Sequence, residues 1–179
     1  MNRCNKLQNC HLQFILLSLI NNKFGVDMKT ILTAIDFSEI TDAVVKYAIK
    51  FAKSYNGSIR LLHIAEPPSA FLGDDVGPQV VRDIKAATIK KEHKQLDTIT
   101  ELMEAEGIEV KSIIIQGSTV EKIIEQSEKA NADIIILGSH GKGVIASAIM
   151  GSTCQGVIQK SKCPVLVIPY SLSKQKDEY

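Results

Sequence analysis

Four glycines and a pair of hydroxyl residues between positions 138 and 153 have a spacing that suits anion binding. The segment begins Gly138-Ser139-His140-Gly141-Lys142-Gly143 and, seven residues later, ends on Gly151-Ser152-Thr153. Glycine lets backbone N–H groups approach phosphate oxygens without obstruction by a Cβ atom. A helix predicted to begin near Gly151 directs its positive end to the same place, where Ser152 and Thr153 add hydroxyl donors. These residues predict a phosphate-binding segment, to which Lys142 could add a positive charge.

A simpler interpretation is that the glycines only make turns after a strand. Neither the GxxxxGK[ST] motif nor the GxGxxG motif is present, so two common phosphate-binding loops are excluded. The combination of placed glycines, a hydroxyl pair at a helix start and a position after a strand favours phosphate binding. His140 has no carboxylate close to it in the sequence, and we interpret it as a hydrogen-bonding accessory rather than a catalytic residue.

Two further residues each have two open interpretations. Asp36 directly follows the first apolar run and could either cap the next helix or face a ligand. We favour the ligand role because Asp36 and Gly138 would share one crevice if their strands are neighbours, and Ser38 is the better helix cap. Cys154 lies where a helix dipole could lower its thiol pKa, although a small buried filler is the commoner role for such a cysteine.

The elements that must position these residues alternate short apolar runs with longer amphipathic stretches. Strands are predicted at residues 31–35, 58–64, 108–115, 133–137 and 164–168. A long charged helix is predicted over 80–106, after a loop that is long enough to be a lid. This alternation predicts an α/β fold with a five-stranded parallel, doubly wound, Rossmann-like sheet between two helical layers. Such sheets bind ligands at the carboxyl ends of strands where the winding direction reverses.

The composition limits the classes of function. The chain has 179 residues, 45% hydrophobic and 23% charged, which fits one folded domain. Its 21 basic and 20 acidic residues give a net charge of +1, and it has no Trp. Neither a nucleic acid nor a membrane surface is therefore an expected partner. The four cysteines show no CxxC pair and no zinc-like spacing, which predicts reduced thiols in a cytoplasmic protein.

Residues 1–27 differ from the rest of the chain. A short apolar run at 14–20 follows two basic residues, but no small-residue cleavage pattern follows it, and it is too short to span a bilayer. Met28 stands directly before the first predicted strand. We expect an N-terminal extension over 1–27 that is disordered or reflects a start assigned too far upstream, a nucleotide-binding domain over 28–170 and a polar tail over 171–179.

The glycine spacing also carries a resemblance to a known family. The pattern G-x2-G-x9-G-[ST], together with segments 35–38 and 61–64, resembles the universal stress protein family over nearly all of 28–170, and in particular its ATP-binding branch. The resemblance implies a five-stranded fold like that of the adenine nucleotide alpha hydrolases, a homodimer, and ATP as the ligand. Mg²⁺ or Mn²⁺ could accompany the phosphates.

The same resemblance implies roles for individual residues. Asp36 would contact the ribose, the backbone of Ala34 and of Ile64 would border the adenine, and Leu137 would lie beside the base. The residues expected to follow the phosphates are Gly138, Gly141, Lys142, Gly143, Gly151, Ser152 and Thr153.

Two classes of function remain open at this point. The first is an ATP-binding regulatory protein of the stress response, with slow hydrolysis at most because no strong base or arginine finger is evident. The second is a nucleotide-independent dimeric scaffold, since the apolar fifth strand, Val165 to Ile168, would need to pair with a second subunit. An adenylating enzyme of the PP-loop type is disfavoured because no S-G-G-x-D-S segment follows the first strand.

Overall fold

A computed structural model of the chain describes residues 28–65, 79–139 and 150–174, with side chains over 28–65, 86–139 and 150–173. The elements follow one another in the order β1 Thr30–Ile35, α1 Thr41–Tyr55, β2 Ser58–Ala65, α2 Gln79–Ala105, β3 Val110–Gln116, α3 Thr119–Lys129, β4 Ile134–Gly138, α4 Ser152–Lys160, β5 Val165–Ile168 and a short 3-10 helix Tyr170–Lys174. The predicted extension over 1–27 and most of the predicted lid loop lie outside the described residues.

The five strands form one parallel sheet in the order β3-β2-β1-β4-β5. The winding direction reverses between β1 and β4, where Ala34 of β1 pairs with Leu137 of β4. The predicted fold, a doubly wound α/β sheet between helical layers, is confirmed. The carboxyl ends of β1 and β4 therefore form the crevice in which sheets of this kind bind ligands.

Apolar side chains cover both faces of the sheet, in two separate clusters. One cluster joins Ile31 and Ile136 to Val44 of α1 and Met103 of α2. The other cluster, between the sheet and the helices α3 and α4, has these central members: Leu32, Leu62, Ile135, Ile123 and Val157. Successive residues of a strand point to opposite faces. The four consecutive aliphatic residues of β4 are consequently all buried, as expected for a strand covered on both sides.

The ends of the helices agree with the sequence in some places and differ in others. Asn56 ends α1 in the left-handed conformation, with a φ of 52°, which asparagine tolerates better than most residues. The prediction that Ser38 caps α1 is wrong, since the capping position belongs to Ile40 and no side chain makes the cap bond. Ser118 does occupy the capping position of α3, but its side chain makes no cap bond either.

The described helices do not include a membrane-spanning candidate, because none of them is both long and apolar enough to cross a bilayer. After β5, the 3-10 helix turns back toward the domain, and Leu172 packs against the α1/α2 cluster. The first residues of the predicted polar tail thus belong to the folded domain.

Candidate functional site

The carboxyl ends of β1 and β4 bring the first set of predicted site residues to one edge of the sheet. Asp36 follows β1 directly, and Gly138 is the last residue of β4. Because the two strands are hydrogen-bonded neighbours, both residues lie at the point where the winding reverses. The condition for a shared crevice, which the sequence could only assume, is met.

Asp36 is held by a tight local turn. Its Oδ1 atom accepts a hydrogen bond from the Ser38 backbone N–H at 3.1 Å and another from the Ser38 hydroxyl at 2.5 Å. Between them Phe37 has a φ of 56°, a left-handed conformation that costs a non-glycine residue free energy. The carboxylate is therefore fixed in orientation by its own turn. It does not cap α1, which begins at Thr41, so that alternative interpretation is wrong.

Ser139 fastens the two ends of the glycine segment to each other. Its carbonyl accepts the Gly151 N–H at 2.8 Å, and its own N–H donates to the Ile168 carbonyl at 2.8 Å. The Ser139 hydroxyl accepts the Tyr170 N–H at 2.9 Å. Ser139 and Gly151 thus lie next to each other at the sheet edge. His140, Gly141, Lys142 and Gly143 lie outside the described residues.

The first turn of α4 contributes backbone donors at the same edge. Gly151 occupies the capping position with an extended backbone, and the first helical bond runs from the Gln155 N–H to the Gly151 carbonyl at 3.2 Å. The N–H groups of Ser152 and Thr153 precede that bond, as is usual in the first turn of a helix. The Gly151 N–H is already used by Ser139, so Ser152 and Thr153 are the better anion donors of the three predicted residues.

Cys154 is a structural residue in this helix turn. It is 2% exposed, and its thiol donates to the Gly138 carbonyl, with 2.8 Å between sulfur and oxygen. Burial raises the pKa of the Cys154 thiol to about 11, because the charged thiolate loses its hydration. Of the two open interpretations of Cys154, the structure therefore favours the small buried filler over a thiol with a lowered pKa.

Three residues predicted to surround a base share the apolar cluster beneath α3 and α4. Ala34, Ile64 and Leu137 are 8%, 9% and 3% exposed and belong to this one cluster. Ile35 pairs with His63, so Ile64 lies level with Asp36 across the β1–β2 pair. The structure brings the three residues together at the edge that carries Asp36 and Gly138.

Sequence reasoning missed two residues at this edge. Ser139 was not singled out, and a serine among glycines gives no signal of its anchoring bonds. His63 lies in segment 61–64, which was singled out only for the family resemblance. Its signal was available, because alternation places it on the buried face of Ile59 and Leu61, where an imidazole needs a hydrogen-bond partner.

No metal centre is built by the described residues alone: they contain no group of three His, Cys, Asp or Glu side chains placed to hold an ion. At this edge the protein offers one oriented carboxylate, backbone amides at a helix start, hydroxyl groups and an apolar wall. That set of groups suits a ligand with a polar sugar-like part, an anionic part and a flat apolar part.

Comparison with known proteins identifies the class of protein. The family model described as "Universal stress protein family" matches residues 28–169. The chain belongs to the universal stress protein family.

Individual relatives support this assignment. Universal stress protein MJ0531 of Methanocaldococcus jannaschii is 27% identical over 156 residues, covering 87% of this chain and 89% of its own length. Universal stress protein MJ0577 of the same organism is 30% identical over 156 residues, covering 80% of this chain and 96% of its own length.

Solved structures agree on the fold. The structure of MJ0577 superposes with a TM-score of 0.70 at 29% identity, covering 86% of this chain and all (100%) of the other. A universal stress protein in complex with cAMP superposes with a TM-score of 0.59 at 20% identity, covering 80% of this chain and 98% of the other.

Proposed function

We propose that this universal stress protein binds ATP at the carboxyl ends of β1 and β4 and acts as a regulatory protein with slow hydrolysis at most. One observation carries the proposal: the Asp36 turn and the two anchored ends of the glycine segment lie on adjacent strands where the winding reverses. The glycine pattern resembles that of the ATP-binding branch, and the cAMP complex of a relative with the same fold is in keeping with a nucleotide ligand.

Each part of ATP has a counterpart in this arrangement. Asp36, oriented by Ser38, accepts hydrogen bonds from the ribose hydroxyls, while the backbone of Ala34 and of Ile64 borders the adenine. Leu137 supplies the apolar contact beside the base. The phosphates follow the residues Gly138, Gly141, Lys142, Gly143, Gly151, Ser152 and Thr153. Mg²⁺ or Mn²⁺ would be held chiefly by the phosphate oxygens, with the Ser152 and Thr153 hydroxyls as neighbours.

A regulatory output has a physical route in the bonds of Ser139. This residue joins the glycine segment to Ile168 at the end of β5 and to Tyr170 beyond it. A phosphate bound between Ser139 and α4 would therefore affect the position of β5, the outer strand of the sheet, through the bonds of Ser139. Slow hydrolysis is expected because the described carboxylate at the site, Asp36, is turned toward Ser38, and no base–nucleophile pair is evident in the described part of this edge.

ATP binding is tested by calorimetry and by thermal unfolding with Mg²⁺-ATP. At a concentration 100 times the Kd, ATP should stabilise the protein by about 2.7 kcal/mol, which raises Tm by roughly 5–10 °C. Asp36→Asn should weaken binding, while Asp42→Asn, which makes the same charge change at an exposed position in the first turn of α1, should not. Absence of both heat and stabilisation at millimolar ATP would rule the proposal out.

The β5 edge supports a homodimer. β5 is an outer strand, and its residues Val165 to Ile168 are all at least partly buried and apolar. Ile158 of α4, at the same side of the domain, is 46% exposed. The opposite edge, β3, carries the exposed polar residues Lys111 and Ser112 next to Ile113, which is 40% exposed. An unprotected apolar edge favours pairing with a second copy of the chain.

Sedimentation of edge variants tests the dimer. Val167→Lys should give a monomer, whereas Ile113→Lys on the opposite edge should leave the dimer intact. A dimer that survives Val167→Lys places the interface elsewhere. A wild-type dimer that binds no ATP would favour the second candidate function, a nucleotide-independent scaffold.

The cysteines support a cytoplasmic location as a further part of the proposal. Cys154 and Cys163 are both free thiols, the state expected in a reducing compartment.

A further inference from the structure

His63 of β2 is a buried imidazole beside the Asp36 turn. It is 3% exposed, and its Nδ1 atom lies 3.0 Å from the Ile35 carbonyl oxygen. A carbonyl oxygen can only accept a hydrogen bond, so Nδ1 carries the proton. His63 therefore fixes the peptide that directly precedes Asp36.

The imidazole also contacts the turn itself. The ring centroids of His63 and Phe37 are 4.3 Å apart, with the planes inclined by 44°. Phe37 is the residue with a φ of 56°, and it lies between Asp36 and its partner Ser38. Packing of the Phe37 ring offsets the cost of that backbone conformation. His63 thus contacts the turn on both sides of Asp36.

The surroundings of Nε2, the other ring nitrogen, show why the bond from Nδ1 to Ile35 matters. Nε2 has no hydrogen-bond partner among the described residues, and it lies 3.7 Å from Glu92 Oε2 of α2, beyond hydrogen-bond distance. An aliphatic side chain would fill the same volume without burying an unpaired nitrogen. The Nδ1–H donor is therefore the feature that only histidine brings to this strand face.

We propose that His63 is a positioning residue for nucleotide binding, which holds Asp36 in the orientation that receives the ribose. The proposal rests on the ATP-binding function given above. It assigns the effect to the Nδ1–H bond with Ile35 and to the contact with Phe37, not to the Nε2 side of the ring.

Two amide substitutions separate the two ring nitrogens. The amide nitrogen of His63→Asn occupies the place of Nδ1 and can still donate to Ile35. The amide nitrogen of His63→Gln reaches toward the place of Nε2 and Glu92 instead. Loss of one buried hydrogen bond corresponds to about a tenfold change in affinity. Calorimetry should show His63→Gln binding ATP about tenfold more weakly and His63→Asn binding within about twofold of wild type.

A second measurement needs no ATP. Hydrogen exchange of the Ser38 amide reports the Asp36 turn in the free protein, and it should be faster in His63→Gln than in wild type or His63→Asn. The nitrogen NMR spectrum of the wild-type imidazole should show that Nδ1 carries a proton. This measurement does not depend on whether a variant folds.

The outcomes distinguish the two proposals. If wild type fails to bind ATP, the proposed function falls, and the Ser38 amide alone decides whether His63 positions the turn. Equal binding and equal Ser38 exchange in both variants would overturn the positioning role. So would equal loss of binding in both variants with unchanged Ser38 exchange, because that result indicates packing alone. A wild-type imidazole that is protonated at Nε2 and bare at Nδ1 would overturn it as well.

Discussion

An aspartate lies at each end of the β1–β4 pair, and the two carboxylates have different kinds of hydrogen-bond partner. At the amino end, the Asp133 carboxylate accepts the N–H groups of Lys29 and Thr30 at 2.8 and 2.9 Å, and the Asp133 N–H donates to the Thr30 carbonyl at 2.9 Å. At the carboxyl end, Asp36 bonds to Ser38, two residues further along the same turn.

The two aspartates show that one residue type can serve two purposes at the ends of a strand pair: to hold the strands together, or to face a ligand. Asp133 joins segments that are more than 100 residues apart in sequence, so its bonds hold two strands together. The Asp36 bonds to Ser38 lie within one turn, at the edge where we propose that ATP binds between β1 and β4. Removal of the Asp133 carboxylate should therefore chiefly cost stability, and removal of the Asp36 carboxylate should chiefly cost binding.

The largest expected effect is that of Asp133→Ala. Two backbone amides lose a charged acceptor, which should lower the free energy of unfolding by about 3 kcal/mol. Urea denaturation measures this loss, and calorimetry on the folded variant should give an ATP affinity within about twofold of wild type. A large loss of affinity without a loss of stability would reverse the roles assigned to the two ends.

Next in size is a pH effect at the carboxyl end. The pKa of Cys154 is raised from 9.0 to about 11 in the fold. Between these pH values the unfolded chain loses the thiol proton while the folded protein keeps it, so stability falls as pH rises. The fall should be about 2 kcal/mol.

Cysteine variants isolate this effect in urea unfolding between pH 8 and 11. Cys154→Ala should remove the fall in stability, and Cys163→Ala should retain it. Identical pH profiles for Cys154→Ala and wild type would show that folding does not raise the pKa of the Cys154 thiol.

A smaller effect is expected for Asp36→Ala, which tests the other half of the comparison. Calorimetry should show ATP binding about tenfold weaker, from loss of a charged hydrogen-bond acceptor. The free energy of unfolding should fall by less than it does in Asp133→Ala, because the Asp36 bonds to Ser38 lie within one turn. A stability loss as large as that of Asp133→Ala would mean that both carboxylates hold separate segments of the chain together.

The smallest effect concerns a carboxylate that lies at neither end. Glu125 of α3 accepts from Lys122 at 2.6 Å and from Lys129 at 2.5 Å, and these bonds lower its pKa to about 2. The group is exposed, so solvent screens the pair. Glu125→Gln should shift Tm by less than about 1 °C in a thermal melt and leave ATP binding unchanged. A shift of roughly 6–12 °C, which corresponds to about 3 kcal/mol, would show that surface ion pairs rival the Asp133 bonds.

Features that follow from the periodicity of apolar residues were predictable from the sequence. Features that depend on partners distant in the chain were not. Four consecutive aliphatics indicated the doubly buried strand β4, and this prediction is confirmed. The failed cap at Ser38 has a local cause, because the hydroxyl bonds back to Asp36 instead of reaching forward to α1. The bond from Ser38 back to Asp36 depends on the left-handed backbone conformation of Phe37, which no pattern of residue types predicts.

At the candidate site, the positions of the residues were predictable from the sequence, and their chemical roles were predictable only in part. The place of Asp36 beside Gly138 followed from strand order, which the alternation of elements suggested. The burial of Cys154 depends on how closely α4 packs against β4, which is a tertiary property. The role of Ser139 likewise requires partners in β5 and beyond it.

The bond between Ser139 and Gly151 has a consequence for how this site can change over time. Because Ser139 and Gly151 are bonded to each other, an insertion or deletion between them alters mainly the entropic cost of bringing these two residues together. Doubling the length of a flexible connection costs only about 0.6 kcal/mol. Evolution can thus refit this segment to a different ligand while the sheet, its strand order and the Asp36 turn stay as they are.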